Sequence, residues 1–297
     1  KSFFDEDVSD MAITPKGEII NPIAQCIEYA AKNNIEEVYS TILPGNREVI
    51  QELVEVAEQK CIRLRFVPDL SQNNDGHFNI DYVGEFPVIT LHKEPLEEIS
   101  NRLKKRLMDV VFSFLVTTLL LSWLIPIVGL LIKLETRGPV FYIQNRPGRN
   151  NHMFKIIKFR TMVVNEDDDQ FVQVKKNDPR ITKVGKFLRK TSLDEMPQFL
   201  NVLTGEMSVI GPRPHPIKLN ETFMDSIHSY MARHFIKPGI SGWAQVNGCR
   251  GETNTSEDMQ KRIEHDLWYL ENWSLMLDVR IFFMTVINVL RGDKNAY

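Results

Sequence analysis

The stretch of sequence that decides how this chain folds is VVFSFLVTTLLLSWLIPIVGLLI, residues 110–132, whose 23 positions carry no charged side chain. At about 1.5 Å per residue, a helix of this length crosses a hydrocarbon core of about 30 Å. A plain transmembrane helix is therefore the simplest expectation. Such a helix would place the residues before 110 and those after 132 in different compartments.

Two features of this stretch favour instead a helix that enters the membrane and returns. Pro126 removes one backbone N–H and crowds the carbonyl of Ser122, so we expect a sharp kink there. The hydroxyls of Ser122 and Thr118 are available to the carbonyls that the proline frees. Basic residues flank the stretch on both sides: Arg102, Lys104, Lys105 and Arg106 before it, and Lys133, Arg137, Arg146 and Arg149 after it. The positive-inside rule then places both ends in the cytoplasm.

Upstream of the apolar stretch the sequence alternates between helical and strand patterns. The periodicity predicts helices over 23–32 and 48–60, buried strands over 37–43 and 62–67, an edge strand over 86–91 and a charged helix that begins at 94. A strand, a helix and a strand in succession form a βαβ unit with parallel strands. No G-x-G-x-x-G motif opens a helix here, so nucleotide binding by this part has little support.

The charge of the chain is divided unevenly along it. Residues 1–101 carry 8 Lys and Arg against 19 Asp and Glu, whereas residues 102–297 carry 28 against 20. The basic part suits anionic lipid and phosphorylated substrates, and no nucleic-acid motif accompanies it. The three scattered cysteines, Cys26, Cys61 and Cys249, favour reduced thiols in a cytoplasmic setting. The chain opens at Lys1 without a signal-peptide pattern, so we expect it to be part of something longer.

Downstream of the apolar stretch the sequence predicts a β-hairpin and several helices. The hairpin strands are 140–143 and 154–159, and the helices are 184–190, 224–235 and 257–272. An apolar run over 279–290 is too short to span a membrane and suits a core or interfacial helix. Lys158 and Arg160 lie two residues apart and share one face of the second strand. They place two cations near the membrane exit, although a solvated strand face would show the same pattern.

The stretch TSLDEMPQFLNVLTGEMSVIGPRP, residues 191–214, carries the candidate chemistry. Ser192 and Glu195 match a capping box, although Pro197 is an alternative first helical residue. In either case Asp194 and Glu195 lie at a helix N-terminus, which favours the ionised form by roughly 0.3–1 kcal/mol. We therefore expect both acids to be charged at neutral pH, where Asp194 can act as a nucleophile. Ordinary helix capping is the alternative.

A rigid turn, Gly211-Pro212-Arg213-Pro214, follows the acidic pair and presents one guanidinium to a phosphate. Four blocks carry a resemblance: KFRTM (158–162), the acidic pair, this turn and KPGISGWAQVNG (237–248). Through these blocks, residues 100–297 resemble the bacterial sugar transferase family of monotopic phosphoglycosyl transferases. Within that family, PRPH (212–215) and VNGCRGET (246–253) are similar to the undecaprenyl-phosphate glucose phosphotransferases.

The resemblance implies an α+β fold with three parts. Residues 1–92 would form a partial Rossmann-like α/β regulatory domain, a module for docking or homo-oligomerisation. Residues 93–136 would form an amphipathic lead-in and a re-entrant membrane helix, kinked at Pro126 and Ser122. Residues 137–297 would form a mostly helical catalytic domain with a small β-hairpin. The protein would lie in the bacterial inner membrane, in contact with its lipid, and the catalytic domain would be on the cytoplasmic face.

The resemblance also implies a reaction. Asp194 would attack the β-phosphate of a UDP-sugar, release UMP and hold the hexose phosphate, with glucose favoured, until undecaprenyl phosphate takes it. Glu195 and Asp194 would hold Mg²⁺, and the phosphate-binding residues would be Arg213, Arg189, Lys158 and Arg160. The product would start an exopolysaccharide or a capsule. Two alternatives are a membrane-anchored scaffold without catalysis and a glycosyl transferase that releases UDP.

Overall fold

The structure is a computed structural model that describes residues 22–40, 47–67, 79–83, 86–90, 94–163, 178–224, 226–227, 229–249, 251 and 255–291. The chain divides into two compact units. The first comprises residues 1–93 and 228–232, and the second comprises residues 94–227 and 233–297.

The first unit combines helices with one mixed sheet. In chain order its elements are α1 (Pro22–Lys32), β1 (Glu37–Ser40), α2 (Arg47–Gln59), β2 (Arg63–Phe66), β3 (Asn79–Val83) and β4 (Phe86–Thr90). β1 and β2 are parallel, with Glu37 opposite Arg63, so the predicted βαβ unit is confirmed. The continuation of β1 to residue 43 lies outside the described residues. Assignment of this unit to the Rossmann-like class stays a prediction.

The position of β4 differs from the expectation of an edge strand. The strand order is β1-β2-β4-β3, so β4 lies between two neighbours and pairs antiparallel with both. The pairing of β4 with β2 is confined to Ile89 opposite Phe66. Pro87, which has no backbone N–H, lies beyond that pair and therefore costs it no hydrogen bond.

The core of the first unit is formed by the apolar faces of its helices and by β2. Ile27 and Ala57 are fully buried, and Leu53 and Phe66 join the same cluster. Ile23 and Ile27 on α1 are four residues apart, as are Leu53 and Ala57 on α2. This spacing places each pair on one helix face.

The second unit begins with a long helical stretch and continues with short helices and two-stranded sheets. Its elements are α3 (Ile99–Val116), α4 (Ser122–Glu135), β5 (Phe141–Pro147), β6 (Met153–Phe159), α5 (Lys183–Lys190), α6 (Gln198–Thr204), β7 (Ser208–Ile210), α7 (Ile217–Phe223), β8 (Gly239–Ser241), α8 (Trp243–Val246), α9 (Ser256–Glu271) and α10 (Leu275–Arg291). The predicted hairpin is confirmed, with β5 and β6 paired antiparallel from Phe141 opposite Phe159 to Pro147 opposite Met153.

A π-helical turn over 117–121 joins α3 and α4 into one helical stretch, 99–135, that is long and apolar enough to cross a membrane. The backbone N–H of Ser122 donates to the carbonyl of Thr117, five residues back. The hydroxyls of Ser122 and Thr118 donate to the carbonyls of Thr118 and Phe114 at 2.7 and 2.8 Å. Pro126 follows within α4. The irregular backbone therefore lies at the hydroxyl residues, and the re-entrant path stays a prediction.

The two faces of this helical stretch differ in their surroundings. Its buried residues are Lys105, Asp109, Ser113, Leu121, Leu124, Val128, Gly129 and Ile132. Its exposed large apolar residues are Ile99, Leu103, Leu107, Val111, Phe114, Leu115, Leu119, Trp123, Ile127, Leu130, Leu131 and Leu134. A continuous exposed apolar face of this extent is typical of contact with lipid or with another protein. One face of the stretch thus packs on its own unit, and the other suits a membrane.

The prediction of one helix over 224–235 is wrong. α7 ends at Phe223, and residues 230–235 form a 3-10 helix. Ser229, directly before that helix, has a left-handed backbone with φ 54°, which interrupts a right-handed helix. The predicted helices over 184–190, 257–272 and 279–290 are present, and the last of them begins earlier, at Leu275.

Candidate active site

The Asp194-Glu195 pair lies in a 3-10 turn, Leu193–Glu195, between α5 and α6. The predicted capping box is wrong, because Ser192 is left-handed with φ 57° and its side chain makes no capping hydrogen bond. An N-cap serine needs an extended backbone, which the tight junction after α5 does not allow. Pro197 is the N-cap of α6, so the two acids precede that helix by one short turn.

Glu195 is buried and is bound by two cations. Its Oε1 accepts from Lys158 Nζ at 2.7 Å and from an Arg213 nitrogen at 2.6 Å, and its Oε2 accepts from a second Arg213 nitrogen at 3.1 Å. Burial alone would raise the pKa of Glu195, but Arg213 and Lys158 outweigh it and hold that pKa well below its usual range. Glu195 therefore stays ionised and fixes both cations.

Asp194 shows the opposite behaviour. Burial, followed by the neighbouring charge of Glu195, raises its pKa to about 6, although Lys158, Arg189 and Arg213 act against the rise. No residue that the structure describes donates a hydrogen bond to its carboxylate. Both acids are thus charged at neutral pH, as expected, but for a different reason: Arg213 and Lys158 keep Glu195 ionised, and the pKa of Asp194 is raised above its ordinary value yet stays below 7. At neutral pH Asp194 is a mostly ionised, unbound carboxylate, which is the form that a nucleophile needs.

Of the other predicted phosphate-binding residues, Arg189 belongs to this site and Arg160 does not. Arg189 donates to the hydroxyl of Thr161 at 2.9 Å, and its charge acts on Asp194. Arg160 is buried and donates to the carbonyls of Thr136 and Arg137, where α4 ends. Lys158 and Arg160 therefore bind different groups. Arg160 is directed to α4 because helix C-termini leave carbonyls that attract cations.

Arg146 is a site residue that the sequence interpretation did not select. It lies on β5, donates to the carbonyl of Pro214 at 3.2 Å and has a pKa lowered to about 10, first by burial and then by the charge of Arg213. In the sequence it counted only as one of the basic residues that follow the apolar stretch, and it lies between the two predicted hairpin strands. The cations Lys158, Arg146, Arg189 and Arg213 now surround two carboxylates. The excess positive charge suits a diphosphate.

The turn that carries Arg213 is held along its backbone. The N–H of Gly211 donates to the carbonyl of Ser241 and the carbonyl of Pro212 accepts from the N–H of Gly239, both at 2.8 Å, so both residues of the turn are bonded to β8. A Cβ atom on Gly239 would lie 2.1 Å from the nitrogen of Gly211, so only glycine allows this close approach. The turn is rigid, as expected.

Buried polar residues support the same turn from behind. Arg233 donates to the carbonyl of Arg213, contacts the ring of His215 and pairs with Asp266 at 2.8 Å. Burial and the charge of Arg233 lower the pKa of His215 well below its usual range, so its ring is neutral. His215 is thereby a packing residue of the turn.

The acidic pair can be compared with the needs of Mg²⁺, which takes one or two carboxylates and completes its coordination with water and substrate phosphates. Within the described part of the chain, no group of three or more His, Cys, Asp and Glu residues could hold a metal. Asp194 offers a free carboxylate beside Glu195, whose oxygens accept from Lys158 and Arg213. This donor set fits an ion that binds together with its phosphate ligand.

Comparison with known proteins gives a family match over most of this unit. The model of a family described as bacterial sugar transferase matches residues 100–292. The chain is 44% identical over 276 residues, 93% of its length, to a UDP-glucose:undecaprenyl-phosphate glucose-1-phosphate transferase of Escherichia coli (strain K12). It is also 44% identical over 194 residues, 64% of its length, to an exopolysaccharide production protein of Rhizobium leguminosarum bv. phaseoli, and these residues cover 96% of that protein.

The longer relatives extend beyond this chain. It spans 59% of the length of the Escherichia coli protein. A relative from Aeromonas hydrophila, 40% identical over 226 residues, 76% of this chain and 52% of that protein, is a UDP-N-acetylgalactosamine-undecaprenyl-phosphate N-acetylgalactosaminephosphotransferase. Relatives of similar identity thus differ in the sugar that their names specify.

Proposed function

Because this chain belongs to the bacterial sugar transferase family, we propose that it transfers a hexose-1-phosphate, with glucose favoured, from a UDP-sugar to undecaprenyl phosphate and releases UMP. The observation that carries the proposal is the contrast between two adjacent carboxylates. Glu195 is tied to two cations, whereas Asp194 is free and has a raised pKa. A pair of acids with separated pKa values is typical of an active site.

In the first step the carboxylate of Asp194 attacks the β-phosphorus of the UDP-sugar. A bond forms between the Asp194 oxygen and phosphorus, and the bond from phosphorus to the UMP oxygen breaks. Lys158 has three N–H donors and Arg213 five, so both can bind phosphate oxygens while Glu195 keeps them in place. Arg189 and Arg146 add charge at the edges of the same cluster. The leaving UMP carries its negative charge away.

In the second step a phosphate oxygen of undecaprenyl phosphate attacks the phosphorus held on Asp194. The new phosphorus–oxygen bond completes the lipid diphosphate sugar, and the Asp194 carboxylate is restored. Division of the transfer into two steps avoids a transition state that brings two polyanions together. A Mg²⁺ ion held by Asp194 and Glu195 would supply further charge neutralisation for the diphosphate.

We further propose that residues 99–135 form a re-entrant helix in the inner membrane, with the second unit on its cytoplasmic face. The exposed apolar face of α3 and α4 supports a position in lipid. The carbonyls that end α4 accept from Arg160, next to the strand that carries Lys158. A lipid that lies along this helix would therefore present its phosphate close to the catalytic cluster. The first unit is proposed to be a docking or homo-oligomerisation module.

The test is a product analysis with the purified full chain in detergent. UDP-glucose, UDP-galactose and UDP-N-acetylgalactosamine are supplied separately with Mg²⁺ and undecaprenyl phosphate. We expect UMP and a lipid-linked hexose phosphate from at least one donor, and no product from the Asp194→Asn variant. Release of UDP would indicate a glycosyl transferase, and absence of any nucleotide product with all three donors would favour a scaffold.

A further inference from the structure

A buried lysine of the membrane-proximal helix α3 binds the strand that leads to Arg213. Lys105 Nζ donates to the carbonyl of Ile210 at 2.9 Å, to Asp278 Oδ2 at 2.7 Å and to the hydroxyl of Tyr269 at 3.1 Å. These bonds use the three N–H donors of the ammonium group. One side chain of α3 thus joins β7, α9 and α10.

Asp278, the partner of Lys105, is fully buried and satisfied by other donors as well. It accepts from the Tyr269 hydroxyl at 2.6 Å and from the indole N–H of Trp273 at 3.1 Å. A buried charge is tolerated only where its hydrogen bonds are complete, which fixes the geometry of this cluster. Lys105 is therefore held in one position by groups that do not belong to the catalytic cluster.

One turn further along α3, Asp109 binds the same strand. Its Oδ1 accepts from the backbone N–H of Val209 at 2.9 Å and from the hydroxyl of Ser208 at 3.0 Å. With the bond from Lys105 to Ile210, α3 contacts three consecutive residues of β7. The strand cannot shift along α3 without loss of buried hydrogen bonds, which is unfavourable because the buried groups would be left unsatisfied.

The connection from Ile210 to Arg213 is short and fixed at each residue. Gly211 and Pro212 are bonded to β8, and Arg213 is bonded through its carbonyl to Arg233. Three residues with a proline among them leave little freedom to absorb a displacement. A shift of Ile210 is therefore passed on to the Arg213 guanidinium, which binds Glu195.

We propose that Lys105 is a positioning residue of the reaction, which places the Arg213 guanidinium through the carbonyl of Ile210. The proposal rests on the proposed function. It makes the placement of α3 a determinant of catalysis, because the bond from Lys105 joins the helix that enters the membrane to the strand that leads to Arg213.

The experiment removes both partners of the Lys105–Asp278 ion pair, so that an effect on the position of Arg213 can be told apart from an effect on stability. Lys105→Met leaves Asp278 buried and unpaired, which should destabilise the protein, whereas the double variant Lys105→Met with Asp278→Asn removes both charges and should recover stability. The amide introduced at position 278 keeps an oxygen for the indole N–H of Trp273, and its NH2 group can donate to the Tyr269 hydroxyl. We expect the double variant to unfold near the wild-type midpoint in detergent, yet to release UMP roughly 10- to 100-fold more slowly, because a displaced catalytic group costs about that factor.

The same double variant is also made in Arg213→Ala protein, to test whether the slower UMP release depends on Arg213. In Arg213→Ala protein the double variant should cause little further loss. The control is Arg106→Met, which removes donors to the carbonyls of Val202 and Leu203 from the next position of α3. It should retain most of its activity, and any loss should be equal in both backgrounds.

The proposal is overturned if the double variant folds and releases UMP at the wild-type rate. It is also overturned if the double variant slows UMP release by the same factor in the Arg213→Ala background as in the wild type. If the double variant does not fold, Tyr269→Phe decides, because it leaves both charges in place and removes one hydroxyl, which contacts Lys105, Asp278 and the carbonyl of Ile210. A slower release that disappears in the Arg213→Ala background supports the proposal, and an unchanged rate overturns it. Absence of UMP release from the wild type would instead contradict the proposed function.

Discussion

Replacement of Asp194 by Asn is expected to abolish turnover and, at neutral pH, to stabilise the folded protein. Turnover requires a carboxylate that forms a bond to phosphorus, which an amide does not form. Stabilisation is expected because burial and Glu195 make the ionised form of Asp194 unfavourable in the folded state. The proposed nucleophile is thus a source of instability that the fold tolerates.

The magnitude follows from the pKa of Asp194. Its ordinary value of 3.8 is raised to about 6 on folding. A shift of one pKa unit corresponds to about 1.36 kcal/mol, so the ionised carboxylate lowers the free energy of unfolding by about 3 kcal/mol above pH 6. Because folding raises the pKa of this acid, the folded state binds the proton more tightly than the unfolded state. Stability is therefore lost as pH rises from 3.8 through 6. At pH 5 roughly half of the cost is present.

The assay is denaturant unfolding of the full chain in detergent, with wild type and Asp194→Asn compared at pH 5.0 and 7.5. The variant should gain about 3 kcal/mol at pH 7.5 and about half of that at pH 5.0. Asp178→Asn is the control, because hydrogen bonds from Arg180 lower the pKa of Asp178 to about 2, and its replacement should give no gain at either pH. A variant that is less stable than wild type at pH 7.5, or a gain that grows at low pH, would refute the reasoning.

Three further predictions concern the reaction and the membrane segment. Single-turnover release of UMP should increase as pH rises through about 6, where Asp194 ionises, and a flat profile from pH 5 to 8 would contradict a nucleophilic role for this residue. Glu195→Gln should reduce UMP release severely, with part of the loss recovered at high Mg²⁺. A defect that does not respond to Mg²⁺ would mean that Glu195 acts only through Lys158 and Arg213. In intact cells, single cysteines at Asn101 and Arg137 of a cysteine-free variant should both be protected from an impermeant thiol reagent. Pro126→Leu should expose one of them in some molecules, and unchanged labelling and activity would show that the proline does not turn the chain.

Those parts of the fold that depend on local pattern could be predicted from the sequence. The hairpin of β5 and β6, the parallel pair β1 and β2, and α9 follow from periods of two or 3.6 residues together with turn residues. Predictions failed where one residue adopts a backbone that its type does not require. Ser192 and Ser229 are both left-handed; the first was predicted to be an extended N-cap, and the second lies inside a stretch that was predicted to be one helix.

The site could be predicted in its residue types but not in its pairing. Asp194, Glu195, Lys158, Arg189 and Arg213 lie together in the structure. The partner of Glu195 on β6 is 37 residues away, and no local pattern relates the two. The same limit explains Arg160 and Arg146, whose positions depend on the end of α4 and on the turn at Pro214. The difference between the pKa values of Asp194 and Glu195 also depends on burial, which exists only in the folded chain.

The buried bonds of Lys105 set a condition on the biosynthesis of this protein. Its partner Asp278 lies 173 residues later in the chain. At about 5–20 residues per second, a ribosome completes that interval in roughly 10 to 35 s. During this time α3 is complete while the Asp278 carboxylate that pairs with Lys105 does not yet exist. A nascent chain that stops before α10 therefore leaves this lysine without its counter-ion, and the docking of α3 onto its own unit is a late event of synthesis.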